Sequence, residues 1–336
     1  MSMKVGIPRG LLYYYYAPLW IKFFETLGAE VVISRKSNKW IVDHGVKNTV
    51  DEACLPVKVY HGHVIDLKEQ VDYIFIPKMM SIYKNEYICP KFCGLPEMIK
   101  SSIKDLPTLI DTVIDFRKSK RKLPETIYEI GSYITKDRKK INFAFEEALR
   151  AHNHYKEQIK EGLLPIDIEE HNNGCLRKPW EKHQKIVLLG HPYNIYDRYL
   201  SMDMIKKLRD YGLEVMTQDS FDSKVIHEKA ETMDKKMFWS FGRKILGTAL
   251  YAMEQEEIQG IMYLSSFGCG LDSVIADIAE RRIRRHSKKP FILLTMDEHT
   301  GEAGINTRIE AFVDMIKWRE KDENNFSTYR KHLSAH

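Results

Sequence analysis

Cysteines carry the first chemical signal in this 336-residue chain. Cys54, Cys89 and Cys93 fall within residues 51–98, and Cys269 lies far downstream in SSFGCGLD. Cys54 precedes Leu55-Pro56 and a helical pattern that runs to about Gln70. Cys89 is followed by Pro90 and a helix from about Leu95, and Cys269 by Gly270 and a helix from about Asp272. A helix N-terminus offers free N–H donors and partial positive charge. Both lower a thiol's pKa and stabilise a thiolate or an anionic cluster. Cys54, Cys89 and Cys269 are therefore candidate ligands of one iron–sulfur cluster. Cys93, at C-x3-C spacing from Cys89, is a candidate extra ligand, with a neighbouring core thiol an equal reading. Gly268 and Gly270 let the backbone approach a bulky ligand. The lack of tight C-x2-C spacing argues against a zinc ribbon. Taken singly, each cysteine reads as a small buried hydrophobe; the case rests on the set. Cys175, in the loop HNNGCLRKPW, is not expected to be a ligand.

Other residues carry weaker signals. His191 follows a strand end and can donate a hydrogen bond to a cluster-bound ligand; it also reads as an ordinary turn histidine. His61 and His63, two apart on one helix, point to different faces and cannot both line a site. Tyr13–Tyr16 either cover the site or pack, and packing is the simpler reading. Asp297, Glu298, His299 and Thr300 follow a strand and either bind a polar ligand or cap the structure leading to the last helix.

These residues need a scaffold that brings distant loops together. KVGIPRG reads as a strand and loop, with Pro18 suited to the first turn of a helix. Trp20, Phe23, Phe24 and Leu27 form one buried stripe, Gly28 stops the helix, and AEVVIS is the next strand. Residues 185–217 repeat this pattern, with Leu200, Met204, Leu208 and Tyr211 on one helix face. Gly, Pro, Gly and Glu stand at 6, 8, 28 and 30 and again, 184 residues later, at 190, 192, 212 and 214. Third strands VDYIFIP (71–77) and GIMYLSS (260–266) each lead to a cysteine loop. The fold class expected is α/β: two similar Rossmann-like parallel-sheet domains with a helical connector and the cluster in the inter-domain cleft. In such sheets ligands bind outside the carboxyl ends of the strands.

The boundaries expected are 1–115 and 181–319 for the two domains, 116–180 for the connector and 320–336 for a polar tail. In the connector, Pro124 starts one helix. Ile141, Phe145, Ala148, Leu149, His152, Tyr155 and Ile159 line the next, which Gly162 and Pro165 end. A long helical stretch spans about 228–256, and FILLTMDEH is a buried strand. Asn306 or Thr307 caps a last helix with Ile309, Phe312, Val313 and Ile316 inward.

Bulk properties set limits. No apolar run reaches the about 20 residues that span a bilayer, and the N-terminus has no signal-peptide pattern. Five cysteines and a reduced compartment favour metal or reactive thiols over a disulfide framework. A cytoplasmic protein is expected, with no membrane partner. Net charge is +5, densest in RKSKRK (117–122) and KDRKK (136–140), which read as solvated helix faces. No nucleic-acid-binding motif is present.

GIPRGLLYYYYAPLW, CLPVKVYHGHV, YIFIPKMMSI, YICPKFCGLP, GHPYNIYD, GCGLDS and DEHTGEAGINTRIEAF together resemble the 2-hydroxyacyl-CoA dehydratase superfamily. The likeness is strongest to its stand-alone acyl-CoA dehydratase activase-related proteins, and it covers most of 1–318. The resemblance implies two Rossmann-like domains around a cysteine-bound cluster: [4Fe–4S] with three cysteine ligands and one open iron, or a larger cluster as in related double-cubane proteins. Carried over, the ligands are Cys54, Cys89 and Cys269. The resemblance also implies a separate ATP-hydrolysing activase, itself an iron–sulfur dimer, as electron donor, and a homo-dimer or related subunit as partner. No Walker A sequence is present, so this chain is the acceptor side. Three functions stay open: a reductase or dehydratase-like enzyme acting on a small substrate at an open iron, a non-enzymatic electron carrier or cluster-delivery protein, and a metal-free or zinc protein that keeps the fold without its ancestral chemistry. Cys93 and the lack of an evident second subunit depart from the dehydratase pattern.

Overall fold

The computed structural model describes residues 2–117, 120–171 and 184–333. Cys175 lies outside the described residues, as do two residues of the basic run 117–122.

The first half runs β1 (Lys4–Ile7), α1 (Tyr13–Thr26), β2 (Glu30–Ile33), α2 (Lys39–Lys47), α3 (Leu55–Leu67), β3 (Tyr73–Phe75), β4 (Lys78–Ser81), α4 (Pro90–Cys93), α5 (Leu95–Ser102), β5 (Thr108–Ile110) and β6 (Val113–Asp115). Helices α6 (Leu123–Gly131), α7 (Arg138–Lys160) and α8 (Pro165–His171) follow. The second half runs β7 (Gln184–Gly190), α9 (Pro192–Ile195), α10 (Met204–Asp210), β8 (Leu213–Thr217), α11 (Ser223–Glu231), α12 (Ser240–Glu254), β9 (Ile258–Ser266), α13 (Gly270–His286), β10 (Phe291–Met296) and α14 (Glu302–Leu333).

Two four-stranded parallel sheets result, ordered β2-β1-β3-β5 and β8-β7-β9-β10. Each half thus places its own first strand second in the sheet, and the repeat seen in sequence is a repeat of topology. Gly28 and Gly212 are equivalent. Each follows its helix at positive φ (+88° and +80°), and a side chain there would meet nothing. Gly6 and Gly190 are not equivalent. Glu30 lies opposite Lys4, but Glu214 lies opposite Lys185. The second half therefore holds three more residues between strands, and Gly190-His191 continues past the point where β1 ends.

Several local expectations are corrected. Helix α1 begins at Tyr13, so Pro18 is inside it. Proline has no N–H to offer the carbonyl four residues back, and the Tyr14 carbonyl instead accepts from Tyr155 Oη on α7 (2.7 Å). The helix expected through Leu200 begins only at Met204, because Met202 and Asp203 take positive φ; Tyr211 is half exposed. The stretch 228–256 is two helices. Asn306 and Thr307 lie inside α14 and cap nothing, and α14 continues to Leu333, through most of the expected tail.

The halves share apolar cores. Tyr14, Ile41, Val42, Leu55 and Val59 pack in one cluster with Ile186, Leu188, Met204 and Phe312, so α1, α2 and α3 lie against the second sheet. Helices α2 and α3 cross closely: a side-chain carbon on Gly62 would sit 1.9 Å from the Ile41 carbonyl. That crossing fixes the start of α3, and with it Cys54.

Candidate functional site

Each of the three cysteines is the N-cap of a helix: Cys54 of α3, Cys89 of the single turn α4, and Cys269 of α13. Proline in the first turn of α3 and of α4 suits these starts. The Cys269 Sγ accepts the Asp272 N–H at 3.4 Å.

Contacts between the halves bring the Cys54 and Cys269 starts together and hold the Cys89 loop against the second half. Cys269 packs against the small cluster of Ala53, Cys54 and Val57, and Gly268, at φ +75°, sits beside the Cys54 backbone. The Cys89 loop is tied to the second half by a parallel bridge between Tyr87 and Trp239, with Tyr87 N donating to Phe238 O and Ser240 N to Tyr87 O. Buried Arg243 and Glu86 pair at 3.1 Å beside it. Lys58, one turn into α3, pairs with Glu298 at 2.5 Å.

The electrostatics differ from expectation. Burial pushes the Cys269 thiol far up, and the Asp272 carboxylate and the thiols of Cys54 and Cys89 add to the shift. The Asp272 N–H opposes it without prevailing. Cys89 is likewise raised, mainly by burial, with the Lys91 N–H pulling the other way. The helix N-termini do act in the direction foreseen, but desolvation and mutual repulsion outweigh them. A bound cation would reverse this balance, because it would supply the positive charge that deprotonated thiols need.

His191 is the N-cap of α9 and fully buried. Its ring stacks on Tyr193 (centroids 4.9 Å apart, 15°) and meets Phe241 edge-on. The Nε2 stands 3.3 Å from Asp272 Oδ1, within ion-pair reach but off the direction of a hydrogen bond. Neither ring nitrogen has a hydrogen-bond partner among the described residues. His191, Cys269 and Asp272 offer ligand atoms that all lie within 4.8 Å of one another.

Asp272, Tyr193 and Asn194 emerge only here. Asp272 is buried, accepts from Tyr263 Oη at 2.8 Å and is met by Asn194 Nδ2 at 3.4 Å. Tyr193 lies where all three thiols act on its hydroxyl. An acidic residue in the first turn after Gly-Cys-Gly was the one sequence signal for Asp272, and it reads equally as a helix-start charge.

Cys93 ends α4 and acts on Lys78, which pairs with Glu97. His61 Nδ1 is bonded to the Val57 carbonyl, and His63 to Ser34 and Ser37. The tyrosine run packs and ties: Tyr15 Oη donates to Asp219 across the halves, and Tyr14 meets the Tyr196 ring. Asp297 accepts from His299 N and Thr300 Oγ1, so that segment is a turn, with Glu298 as the bridge to Lys58.

Residues 4–221 match the family model described as the CoA enzyme activase uncharacterised domain (DUF2229), well over half of the chain. The chain belongs to this family. The matched stretch holds Cys54, Cys89 and His191, whereas Cys269 and Asp272 lie beyond it. A search of the curated proteins finds no match. Among the described residues no helix is long and apolar enough to cross a membrane.

Proposed function

We propose that this member of the activase-related family is a cytoplasmic iron–sulfur redox protein, with Cys54, Cys89 and Cys269 holding the cluster. The observation that carries this reading is the convergence of three helix-capping cysteines from three separate segments and both halves. Thiolates are the soft donors that select iron–sulfur clusters or zinc, and the charge of a bound metal would offset the burial that raises the Cys89 and Cys269 thiols. Three ligands suit a [4Fe–4S] cluster with one iron open; Cys93 as a fourth favours a closed or larger one. When bound, such a cluster supplies low-potential one-electron chemistry. In this reading a separate ATP-hydrolysing activase would supply the electrons, and an open iron would serve for reduction of a small substrate. The chain's own residues would orient and shield: the Asp272 N–H holds the Cys269 Sγ, the Tyr193 ring would wall the site, and a His191 nitrogen without a partner among the described residues would be open to a bound ligand.

A second reading rests on the His191, Cys269 and Asp272 triad, whose mixed nitrogen, sulfur and oxygen donors suit a single zinc ion. Metal and acid-labile sulfide analysis of anaerobically purified protein separates the two. Brown protein with iron and sulfide in near-equal amounts is expected. Colourless protein with stoichiometric zinc and no sulfide overturns the cluster and favours the triad.

A further inference from the structure

The first turn of α3 carries a charge that neither the fold nor the proposed ligand set requires. Among the described residues, two lysine or arginine residues are buried, Lys58 and Arg243. Arg243 is held by two carboxylates, Glu86 and Glu231. Lys58 pairs with one, Glu298 of the second half, at 2.5 Å. The Lys58 side chain is only 6% exposed and that of Glu298 17%, so both charges are largely stripped of water. Replacing such a pair by apolar side chains is often neutral or stabilising, because desolvation offsets the attraction. Stability is therefore a poor reason for a buried ammonium here.

Position supplies a better one. Lys58 N donates to Cys54 O, one turn back, and helical side chains lean towards the N-terminus of their helix. Helix α2 clamps the Lys58 backbone, since a side-chain carbon on Gly45 would sit 2.0 Å from its carbonyl. Glu298 is fixed from the other half. Its turn follows Met296, whose carbonyl accepts from Phe267 N at 2.8 Å, two residues before Cys269. The ion pair thus joins the segment that carries Cys54 to the one beside Cys269.

We propose that Lys58 is a positioning residue for the thiol site: its buried ammonium holds up the reduction potential of the iron–sulfur group bound there, and Glu298 limits how far. This inference rests on the cluster reading. Cluster potentials follow net charge, hydrogen bonds and exposure. Three ligating thiolates, with the Asp272 carboxylate next to Cys269, oppose each added electron, and a cation in a low-dielectric interior offsets that opposition. Lys58 and Glu298 act in opposite directions, a signature that a purely structural bridge lacks.

The test is a redox titration of the anaerobically purified full chain with titanium(III) citrate, followed by electron paramagnetic resonance of the reduced cluster, with iron and sulfide measured first. At a fixed potential, Lys58→Met should lower the ratio of reduced to oxidised cluster about tenfold, a shift of about 59 mV for one electron. Glu298→Gln should raise the ratio several-fold. Lys58→Arg, which keeps the charge, should stay near the wild type, and the double variant of Lys58→Met with Glu298→Gln should fall between the two single ones. Shifts of the same sign in both single variants, or no shift in either while iron and sulfide are retained, overturn this inference alone. Should Lys58→Met fail to hold the cluster, an unmoved potential in Glu298→Gln overturns it by itself. Wild-type protein without iron and sulfide overturns the cluster reading and this inference with it.

Discussion

His63 and His191 are both buried histidines near strand ends, and their surroundings are opposite. Beside β1 and β2, His63 completes a satisfied chain. Arg9 N donates to Ser34 Oγ at 2.8 Å; Ser34 Oγ meets His63 Nδ1 at 3.0 Å; His63 Nε2 meets Ser37 Oγ at 3.0 Å; and Ser37 donates to Asp197 of the second half. Beyond β7, His191 has aromatic walls, a carboxylate 3.3 Å away and no hydrogen bond among the described residues. Folded proteins satisfy nearly all buried polar groups. The first arrangement is what a structural joint requires. The second leaves polar capacity over beside the Cys269 thiol, a surplus that the proposed site would use.

The sharpest way to break this contrast is to delete one thiol. Cys269→Ala should remove essentially all bound iron and sulfide from anaerobically prepared protein while the fold persists, as should Cys54→Ala and Cys89→Ala. Cys93→Ala discriminates: retained iron leaves one iron open and favours the enzyme, whereas loss makes Cys93 a ligand and favours a closed carrier or a larger cluster. Full iron content in Cys269→Ala would place the site elsewhere.

At the satisfied joint the loss should appear in stability. His63→Ala removes two buried hydrogen bonds and leaves a void, a cost of about 2–4 kcal/mol in denaturant unfolding with metal content intact. His191→Phe keeps the stack on Tyr193 and should cost under about 1 kcal/mol. Equal costs for the two would erase the distinction. Loss of bound metal in His191→Phe would favour the single-ion triad.

The joint also has a signature in pH. Burial raises Asp197 from 3.8 to about 6, against the bonds from Ser37 and the backbone. A carboxyl whose folded pKa is raised contributes stability that is complete below its unfolded pKa and is lost as pH rises through the folded value. Burial lowers His63 from 6.5 to about 3, so its contribution is complete above 6.5 and is lost on acidification. Between pH 4 and 6 the two oppose each other. Asp197→Asn removes one side, and its stability should gain about 2–3 kcal/mol on the wild type between pH 4 and 6.5. A constant difference across that range would show that Asp197 does not titrate there.

The smallest expected effect tests the repeat itself. Gly28→Ala and Gly212→Ala place a side chain at positive φ in open space. Each should cost about 1 kcal/mol through backbone strain, equally within error. A large inequality would mean that the two helix ends are not the same device.

Features set by neighbours along the chain were legible in the residues. Gly28 and Gly212 marked helix ends, Pro56 marked the helix start that Cys54 caps, and apolar runs marked the inner strands; the helix near Leu95 was legible as well, but not the single turn before it that Cys89 caps. These depend on local backbone sterics and periodicity, which the sequence alone determines. That the two halves are alike was legible too, because the repeat carried it. Only the tertiary structure decided the rest. It placed Gly190 three residues out of step with Gly6, since strand register depends on pairing partners far along the chain. It put Pro18 inside a helix, because a tyrosine 137 residues away satisfies the carbonyl it frees. It raised Cys89 and Cys269 where helix starts alone would have lowered them, because desolvation is a property of the packed interior. It also brought Tyr193 and Asn194 to Asp272 and Cys269 within the second half, and Cys269 to Cys54 across the halves.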